Sequence, residues 1–303
     1  MKEKRFKKFR KFIPIYLMML PGIAYLVINN LIPLPGLIVA FKKYNAAKGI
    51  WGSPWAGLEN FKYLFAADAF YITRNTILYN LAFIVINTTL SVMIAIILAE
   101  MGSKLKKVYQ SAILLPYLLS SVIISYLVYA FLSTDNGLVN SIIESFGGER
   151  ISFYSESKYW PFIIIFVNAW KSVGYSCIMY LATILGFDRS LYEAAAIDGA
   201  SKWKQIYYVT LPLLKSTVIM MTMLSIGRIF YSDFGLFYQV PKNSGALYSV
   251  TNTIDTYVYR GLMELGSINT SAAAGFYQSI VGFILVFGAN LLVRKKDPDS
   301  ALF

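Results

Sequence analysis

The side chains most often used in catalysis and metal binding, histidine and cysteine, are almost absent from this chain, and many of its polar side chains are embedded in apolar runs. The chain has no histidine and one cysteine, Cys177. This excludes histidine-based catalysis, His/Cys metal sites and disulfides within the chain. The sequence contains neither a GxxxxGK[ST] phosphate loop nor a GxGxxG motif, so we do not expect it to hydrolyse ATP alone. The informative residues are therefore the polar groups inside apolar segments.

The apolar segment 161–185 carries a polar stripe. Four polar residues recur there at the spacing i, i+3, i+4 and i+7: Asn168, Lys171, Ser172 and Tyr175. This spacing places them on one face of a helix, which we expect to point into a bundle or a cavity, with Trp170 beside it. Alternatively, Lys171 forms a structural ion pair with a carboxylate such as Asp233, and Trp170 and Tyr175 only pack.

A second group of candidates lies near the end of the next apolar run and consists of Arg228, Tyr231, Ser232 and Asp233. Charged residues inside an apolar segment are costly in lipid, and they are functional candidates for that reason. The alternative is a structural or interfacial role. Four other polar residues of apolar runs are expected to bond or pack against neighbouring helices: Asn87, Thr88, Gln278 and Asn290.

Between these two runs lies the segment SLYEAAAIDGASKWKQIYYVTLPLL, residues 190–214. Ser190 and Glu193 fit a capping box, which predicts a helix over about 191–198 that ends at a left-handed Gly199. Asp198 opposes the helix dipole there, so it either caps the following helix or meets a cation of a partner. Pro212 is expected to bend or loosen the start of the next helix.

The elements that position these residues are six apolar segments. The chain of 303 residues is 57% hydrophobic and 15% charged, which indicates an all-α membrane protein. The predicted spans are about 13–40, 75–99, 111–132, 161–185, 208–231 and 273–293. The predicted domains are a basic tail 1–12, a six-helix membrane domain 13–293 and a short tail 294–303.

The positions of the basic residues predict the orientation. If the N-terminus is cytoplasmic, the inner segments carry sixteen Lys and Arg residues and the much longer outer segments carry nine. The positive-inside rule then places both termini in the cytoplasm. The prolines 14, 21, 33 and 35 predict a tilted or broken first span. The outer loops 40–74 and 232–272 are long enough to fold as small caps, and TNTIDTYVYRGL can form an amphipathic helix.

The loop motif resembles the EAA loop of the membrane subunits of bacterial type I ABC importers. Its pattern is Glu-Ala-Ala, a glycine four residues later, and a Leu-Pro step. The corresponding residues here are Glu193, Ala194, Ala195, Gly199, Leu211 and Pro212. The family more often has Ile where Val209 stands. The whole chain is similar to the polysaccharide and oligosaccharide permeases found mainly in Gram-positive bacteria.

The resemblance implies that residues 186–212 form a coupling loop whose short helix docks on a cytoplasmic ATPase. It implies that Glu193 meets a basic group of the ATPase, that Ala194 and Ala195 line the contact, and that Gly199 permits the turn. Asp198 is either a local cap or a further contact.

The resemblance also implies an assembly. Its expected partners are a second, non-identical permease, two copies of the ATPase and a lipid-anchored, extracellular solute-binding protein, in a bacterial plasma membrane. No cofactor is expected in this chain, because ATP and Mg are held by the ATPase, and no nucleic acid is expected. Transport would proceed by alternating access.

In this setting the polar stripe and the Arg228 group are candidates for the sugar pathway, since sugars are bound by aromatic faces and hydrogen-bonding groups. Three alternatives to a sugar importer are an importer of a non-sugar solute, a membrane-embedded enzyme and a secondary carrier. A membrane-embedded enzyme would need convergent acids, a metal-binding D-x-D or a histidine cluster, but the spans carry almost no Asp or Glu and the chain has no histidine. The carrier would need an internal repeat and an intramembrane acid, and neither is seen.

Overall fold

A computed structural model describes residues 2–67 and 69–296, which form helices and contain no β-strand. The α-helices in chain order are α1 Lys2–Leu26, α2 Gly49–Gly52, α3 Glu59–Ala67, α4 Ala69–Glu100, α5 Ser103–Leu118, α6 Ser121–Leu132, α7 Leu138–Ser145, α8 Trp160–Leu185, α9 Arg189–Ile197, α10 Lys202–Gln205, α11 Leu211–Ile226, α12 Tyr248–Thr251, α13 Ile254–Met263 and α14 Ile268–Lys296. Other helical turns are π at Val27–Leu31, Ile206–Thr210 and Gly235–Gln239, and 3-10 at Leu34–Phe41, Ser157–Tyr159 and Gly245–Leu247.

Within the described residues, five helical segments are long and apolar enough to cross a membrane: Phe12–Phe41, Ala69–Glu100, Ser157–Leu185, Lys202–Ile226 and Ile268–Lys295. The first is broken near Pro33 and Pro35, as predicted, whereas Pro14 and Pro21 lie inside α1. The predicted basic tail is not separate from this span, because α1 already begins at Lys2. At the other end α14 reaches Lys296, and the rest of the predicted C-terminal tail lies outside the described residues.

The predicted third span, 111–132, is not one straight helix. α5 and α6 meet at 97°. The break arises because Leu119 and Ser120 adopt extended backbone angles, and the Ser120 hydroxyl accepts a hydrogen bond from the Ile123 N–H at 3.3 Å. Ser120 therefore starts a new helix, with Pro116 in the last turn of the old one. The number of spans rises from five to six only if the bent pair α5–α6 is counted as one span.

α8 is the central helix, and it packs against α4 and α5. The Ser91 hydroxyl of α4 donates to the Val173 carbonyl at 3.1 Å, and Asn87 donates to the Asn168 side chain at 2.8 Å. On the other side, a Cβ built on Gly174 would lie 1.8 Å from the Ile113 carbonyl oxygen of α5. Gly174 therefore allows the two backbones to touch, a use of glycine typical of membrane helices.

The fifth span differs from the predicted segment 208–231 at both ends. Its helical residues begin at Lys202, and α11 already ends at Ile226. The turn Ile206–Thr210 is π-helical, and the Leu211 N–H bonds back to the Ile206 carbonyl. This widened turn directly precedes Pro212, which lacks an N–H. The predicted loosening by Pro212 is thus confirmed.

Beyond α11 the backbone of residues 227–233 is not helical, and neighbouring side chains satisfy it. Gln278 donates to the Phe230 carbonyl at 2.9 Å, and Asn80 donates to the Tyr231 carbonyl at 3.0 Å. The Asp255 carboxylate accepts from the Ser232 N–H at 2.7 Å. An irregular backbone between apolar helices requires such partners. Gln278 therefore does more than pack, while Asn290 is buried as expected.

The two long loops fold as small caps, as predicted. The helix expected in TNTIDTYVYRGL is α13, which begins at a capping box formed by Thr253 and Thr256. Arg260 of α13 is buried. Its guanidinium tolerates burial because it donates hydrogen bonds to the side chains of Asn243 and Asn252. Burial lowers the pKa of Arg260. These bonds tie the helix to the loop that follows the fifth span.

We predict that Gly174→Ala weakens the α5–α8 contact, because the added methyl group overlaps the Ile113 backbone. The free energy of unfolding should fall by at least about 2 kcal/mol. The measurement is the thermal midpoint in detergent, followed by labelling of the buried Cys177 thiol with a fluorogenic dye. Gly275→Ala is the matched control, since a Cβ there meets no atom within 4 Å. Equal midpoints for both variants would contradict the close contact.

Candidate functional site

A polar cavity lies at the end of the fifth span where α11 stops. Its volume is about 580 Å³. α4, α8, α11 and the segment 227–234 form its wall. The lining residues are Asn80, Phe83, Ile84, Asn87, Thr88, Asn168, Ser172, Ser176, Tyr180, Met221, Ser225, Arg228, Tyr231, Ser232, Asp233 and Phe234. The wall combines amides, hydroxyls, aromatic rings and two charges, which suits a hydroxylated ligand.

The structure brings five of the eight predicted pathway residues together in this cavity: Asn168, Ser172, Arg228, Tyr231 and Asp233. Asn87 was expected to bond another helix. It does so through Asn168, and it lines the cavity as well. Ser232, which the sequence also named, lines the cavity, whereas sequence reasoning missed Asn80, Ser176 and Ser225. The signal for Ser176 was available, since it continues the four-residue spacing of Asn168 and Ser172.

The other three predicted residues lie off the cavity. The Lys171 ammonium donates to the Ser121 hydroxyl at 3.0 Å and lies 3.5 Å from the Asp233 carboxylate. This contact is the structural ion pair with Asp233 that the sequence offered as the alternative to a role of Lys171 in the sugar pathway. Tyr175 stacks on Tyr117, with ring centroids 4.6 Å apart. Trp170 lines an apolar groove formed by α6, α7 and α8.

The predicted polar stripe therefore divides between two sides of α8. Each four-residue step advances by about 40° around a helix. The cavity side follows such steps from Asn168 through Ser172 and Ser176 to Tyr180. Around the helix axis, Lys171 and Tyr175 lie on the other side of Asn168 and face α6 and α5. The face of α8 that lines the cavity is therefore rotated relative to the predicted polar stripe, towards Ser176 and Tyr180.

At the other end of the fifth span, α9 forms the short helix predicted in the coupling loop. It covers Arg189–Ile197 and begins two residues earlier than predicted. The predicted capping box is wrong. The Asp188 carboxylate is the cap, and it accepts a hydrogen bond from the Ser190 N–H at 2.9 Å. Because the helix starts at Arg189, Ser190 is already inside it, so it cannot act as the cap.

The end of α9 agrees with the prediction. Gly199 has a φ of +74°, its N–H bonds to the Ala196 carbonyl, and the Ala200 N–H bonds to the Ala195 carbonyl. This pattern is a Schellman motif, and the left-handed residue in it favours glycine. Asp198 is the residue before this turn. Its carboxylate makes no hydrogen bond with another described residue, so no contact supports the local-cap reading.

Three side-chain contacts fasten the coupling loop to the helices behind it. The hydroxyls of Tyr192 and the buried Thr210 lie 3.1 Å apart, and Gln205 donates to the Ala200 carbonyl at 3.1 Å. Lys202 forms an ion pair with Glu100, at the end of α4, at 3.0 Å. Tyr192 therefore attaches α9 to the first turns of the fifth span, and Lys202, at the start of that span, is paired with the end of the second span.

The outward surface of the coupling loop is uncovered. Glu193, Ala194, Asp198 and Gly199 are exposed, and Ala195 is partly exposed. Two large side chains beside them are also exposed, Ile197 at 87% and Trp203 at 82%. Leu211 and Pro212, the last residues of the motif, start α11 and are exposed too. Small residues flanked by exposed apolar ones are typical of a protein contact surface.

Comparisons with known proteins agree with this geometry. Residues 91–297 match the family model "Binding-protein-dependent transport system inner membrane component". Protein LplB of Bacillus subtilis (strain 168) is 33% identical over 288 residues, which are 94% of this chain and 90% of the relative. The polygalacturonan/rhamnogalacturonan transport system permease protein YteP of the same organism is 35% identical over 304 residues, 99% of this chain and 94% of the relative.

The fold matches a solved transporter as well. The crystal structure of a bacterial ABC transporter involved in the import of the acidic polysaccharide alginate superposes with a TM-score of 0.87 at 29% identity. The match covers 96% of this chain and 99% of that one. A second structure, of the alginate transporter in complex with an alginate pentasaccharide-bound periplasmic protein, gives a TM-score of 0.86.

We predict that Asp188→Ala frays the first turn of α9, whereas Asp188→Asn, which retains a capping oxygen, does not. The hydrogen bond from the Ser190 N–H lowers the pKa of Asp188. The cap is therefore fully present at neutral pH and is lost only as the pH falls through this lowered pKa. Hydrogen–deuterium exchange of a peptide covering 188–193 measures the effect. Exchange should be several-fold faster in the alanine variant, and equal rates in both variants would contradict the assignment.

Proposed function

The chain belongs to the family of binding-protein-dependent transport system inner membrane components, and we propose that it carries a sugar or oligosaccharide through a bacterial cell membrane by alternating access. It is a transport permease, related over almost its whole length to LplB and YteP. One observation carries the mechanism. A single span, the fifth, has a polar cavity at one end and an uncovered coupling loop at the other.

In the proposed topology the bent α5–α6 pair counts as one span, which gives six spans with both termini in the cytoplasm. The distribution of basic residues supports this orientation. It places α9 at the cytoplasmic face and the cavity nearer the outer face. A sugar delivered from outside would then meet the cavity first, and an ATPase would meet α9.

The coupling loop is the proposed ATPase contact. Glu193 meets a basic group there, Ala194 and Ala195 let the surfaces approach closely, and Gly199 provides the turn. Asp198 is a further contact, consistent with its free carboxylate. Tyr192, Gln205 and the Leu211–Pro212 step transmit displacement of the loop to α11, since they join it to that helix.

The proposed partners follow from the family. They are a second, non-identical permease, two cytoplasmic ATPases that hold ATP and Mg, and a lipid-anchored extracellular binding protein. The alginate transporter complexed with its pentasaccharide-bound periplasmic protein supports the last partner by analogy. The two Bacillus subtilis relatives support a Gram-positive source. This chain needs no cofactor of its own in this scheme.

We predict that Glu193→Lys and Gly199→Val each abolish sugar uptake and weaken copurification of the ATPase. Glu193→Lys reverses a charge at the contact, and Gly199→Val cannot hold the left-handed turn without strain of about 1–3 kcal/mol. Gly147→Val is the matched control. Gly147 has a φ of +79° and, like Gly199, open space around its Cβ position, but it lies in another loop. Normal uptake and ATPase binding in the two loop variants would refute the coupling assignment.

We also predict that the two sides of α8 differ in importance for uptake. Asn168→Leu and Ser172→Val replace cavity hydrogen-bonding groups, so they should lower the sugar uptake rate about tenfold at equal assembly, as loss of one or two hydrogen bonds would. Trp170→Ala and Tyr175→Ala should have a smaller effect on transport, because these rings lie off the cavity. The comparison uses initial uptake rates normalised to membrane-assembled importer. A larger loss from the aromatic variants would place the pathway on the other side of α8.

A further inference from the structure

The cavity contains a charged side chain, Arg228, that has no partner among the described side chains. Arg228 lies two residues beyond the end of α11, lines the cavity and is exposed. Its guanidinium makes no ion pair and no hydrogen bond with any side chain that the structure describes. A charged residue that lines a cavity between membrane spans, with no partner within the protein, is a candidate for binding a ligand of opposite charge.

The carboxylates around Arg228 are already occupied. Asp233, the other charged residue of the cavity wall, is paired with Lys171 at 3.5 Å and also accepts the Leu236 N–H at 3.1 Å. Asp255, behind the wall, accepts hydrogen bonds from Ser232 and Gln278. Of the two charged residues that line the cavity, Arg228 is therefore the one without an ion-pair partner among the described residues.

The position of Arg228 is fixed by the backbone that carries it. The Arg228 N–H bonds to the Ser225 carbonyl, and the Arg228 carbonyl accepts the Tyr231 N–H at 2.9 Å. The neighbouring carbonyls of Phe230 and Tyr231 are held by Gln278 and Asn80. The guanidinium thus projects from a rigid turn, which lowers the entropy lost when it binds a ligand.

We propose that Arg228 binds the carboxylate of the transported sugar, so the substrate is an oligosaccharide that contains uronic acid. A guanidinium fork matches a carboxylate in two parallel hydrogen bonds. The amide of Asn168 and the hydroxyl of Ser172 line the same cavity and suit the sugar hydroxyls, while the ring of Tyr231 offers a face for the pyranose. This inference rests on the proposed function.

The test compares acidic and neutral forms of the same sugar in the intact importer. A panel of galacturonate, glucuronate and mannuronate oligosaccharides is used, each beside its carboxyl-reduced counterpart. Uptake is measured for the wild type, Arg228→Gln, Arg228→Lys and the control Lys215→Gln, which removes a positive charge from an exposed position of α11 outside the cavity. The binding protein is the same throughout, so its own preference cancels when acid-to-neutral ratios are compared between strains.

The wild type should import an acidic member of the panel, and Arg228→Gln should lower its acid-to-neutral uptake ratio about tenfold, as the loss of one charge-assisted contact predicts. Arg228→Lys should retain part of the ratio, and Lys215→Gln should retain all of it. Copurification of the ATPase with each variant checks assembly.

Two results would overturn the inference while leaving the proposed function intact. One is a wild type that imports the neutral form as well as the acidic form. The other is an Arg228→Gln variant that lowers both forms equally, which would assign Arg228 to a carboxylate of the second permease or to packing. Failure to import any saccharide of the panel would instead count against the proposed sugar permease itself.

Discussion

The structure depends on how backbone polar groups are satisfied where the fifth span is not α-helical. Between membrane helices each carbonyl or N–H that has neither a protein partner nor water costs several kcal/mol. At one end the π-helical turn Ile206–Thr210 accommodates the missing N–H of Pro212. At the other end residues 227–233 are held by the side chains of Asn80, Gln278 and Asp255. These polar groups determine where the cavity lies and how the coupling loop is attached.

The same span links the two sites. The coupling loop is joined to its first turns by the Tyr192–Thr210 and Gln205–Ala200 contacts, and the cavity lies beside its last turn. α11 between them is a continuous helix of 16 residues. In the proposed function, the Tyr192–Thr210 contact and α11 carry a displacement of α9 to the cavity wall, and this is how ATP binding would bias access to the cavity.

Much of this arrangement could be predicted from the sequence, because it depends on local patterns. The apolar segments, the left-handed Gly199, the loosening at Pro212 and the Lys171–Asp233 pair follow from composition, backbone preferences and charge. The helix cap was misassigned because Asp188 and Ser190 are both good caps, and only the actual start of α9 decides between them.

Other features depend on tertiary contacts. The break at Leu119–Ser120 follows a proline that membrane helices often tolerate, so the sequence does not require it. The end of the fifth span at Ile226 depends on Asn80 and Gln278, which come from distant segments. For the same reason, spacing alone could not show that Lys171 and Tyr175 lie towards α5 and α6 while Ser176 lines the cavity.

The central claim is that the coupling loop and the fifth span move as one body. Pulsed electron–electron double resonance on the intact importer tests it, with spin labels at Leu191 of α9 and Leu224 of α11 in one sample and at Leu191 and Leu292 of α14 in another. All three positions are exposed, and the native Cys177 is buried. On addition of a non-hydrolysable ATP analogue, the account predicts an unchanged Leu191–Leu224 distance and a shifted Leu191–Leu292 distance. A Leu191–Leu224 distance that shifts as much as the other would contradict it.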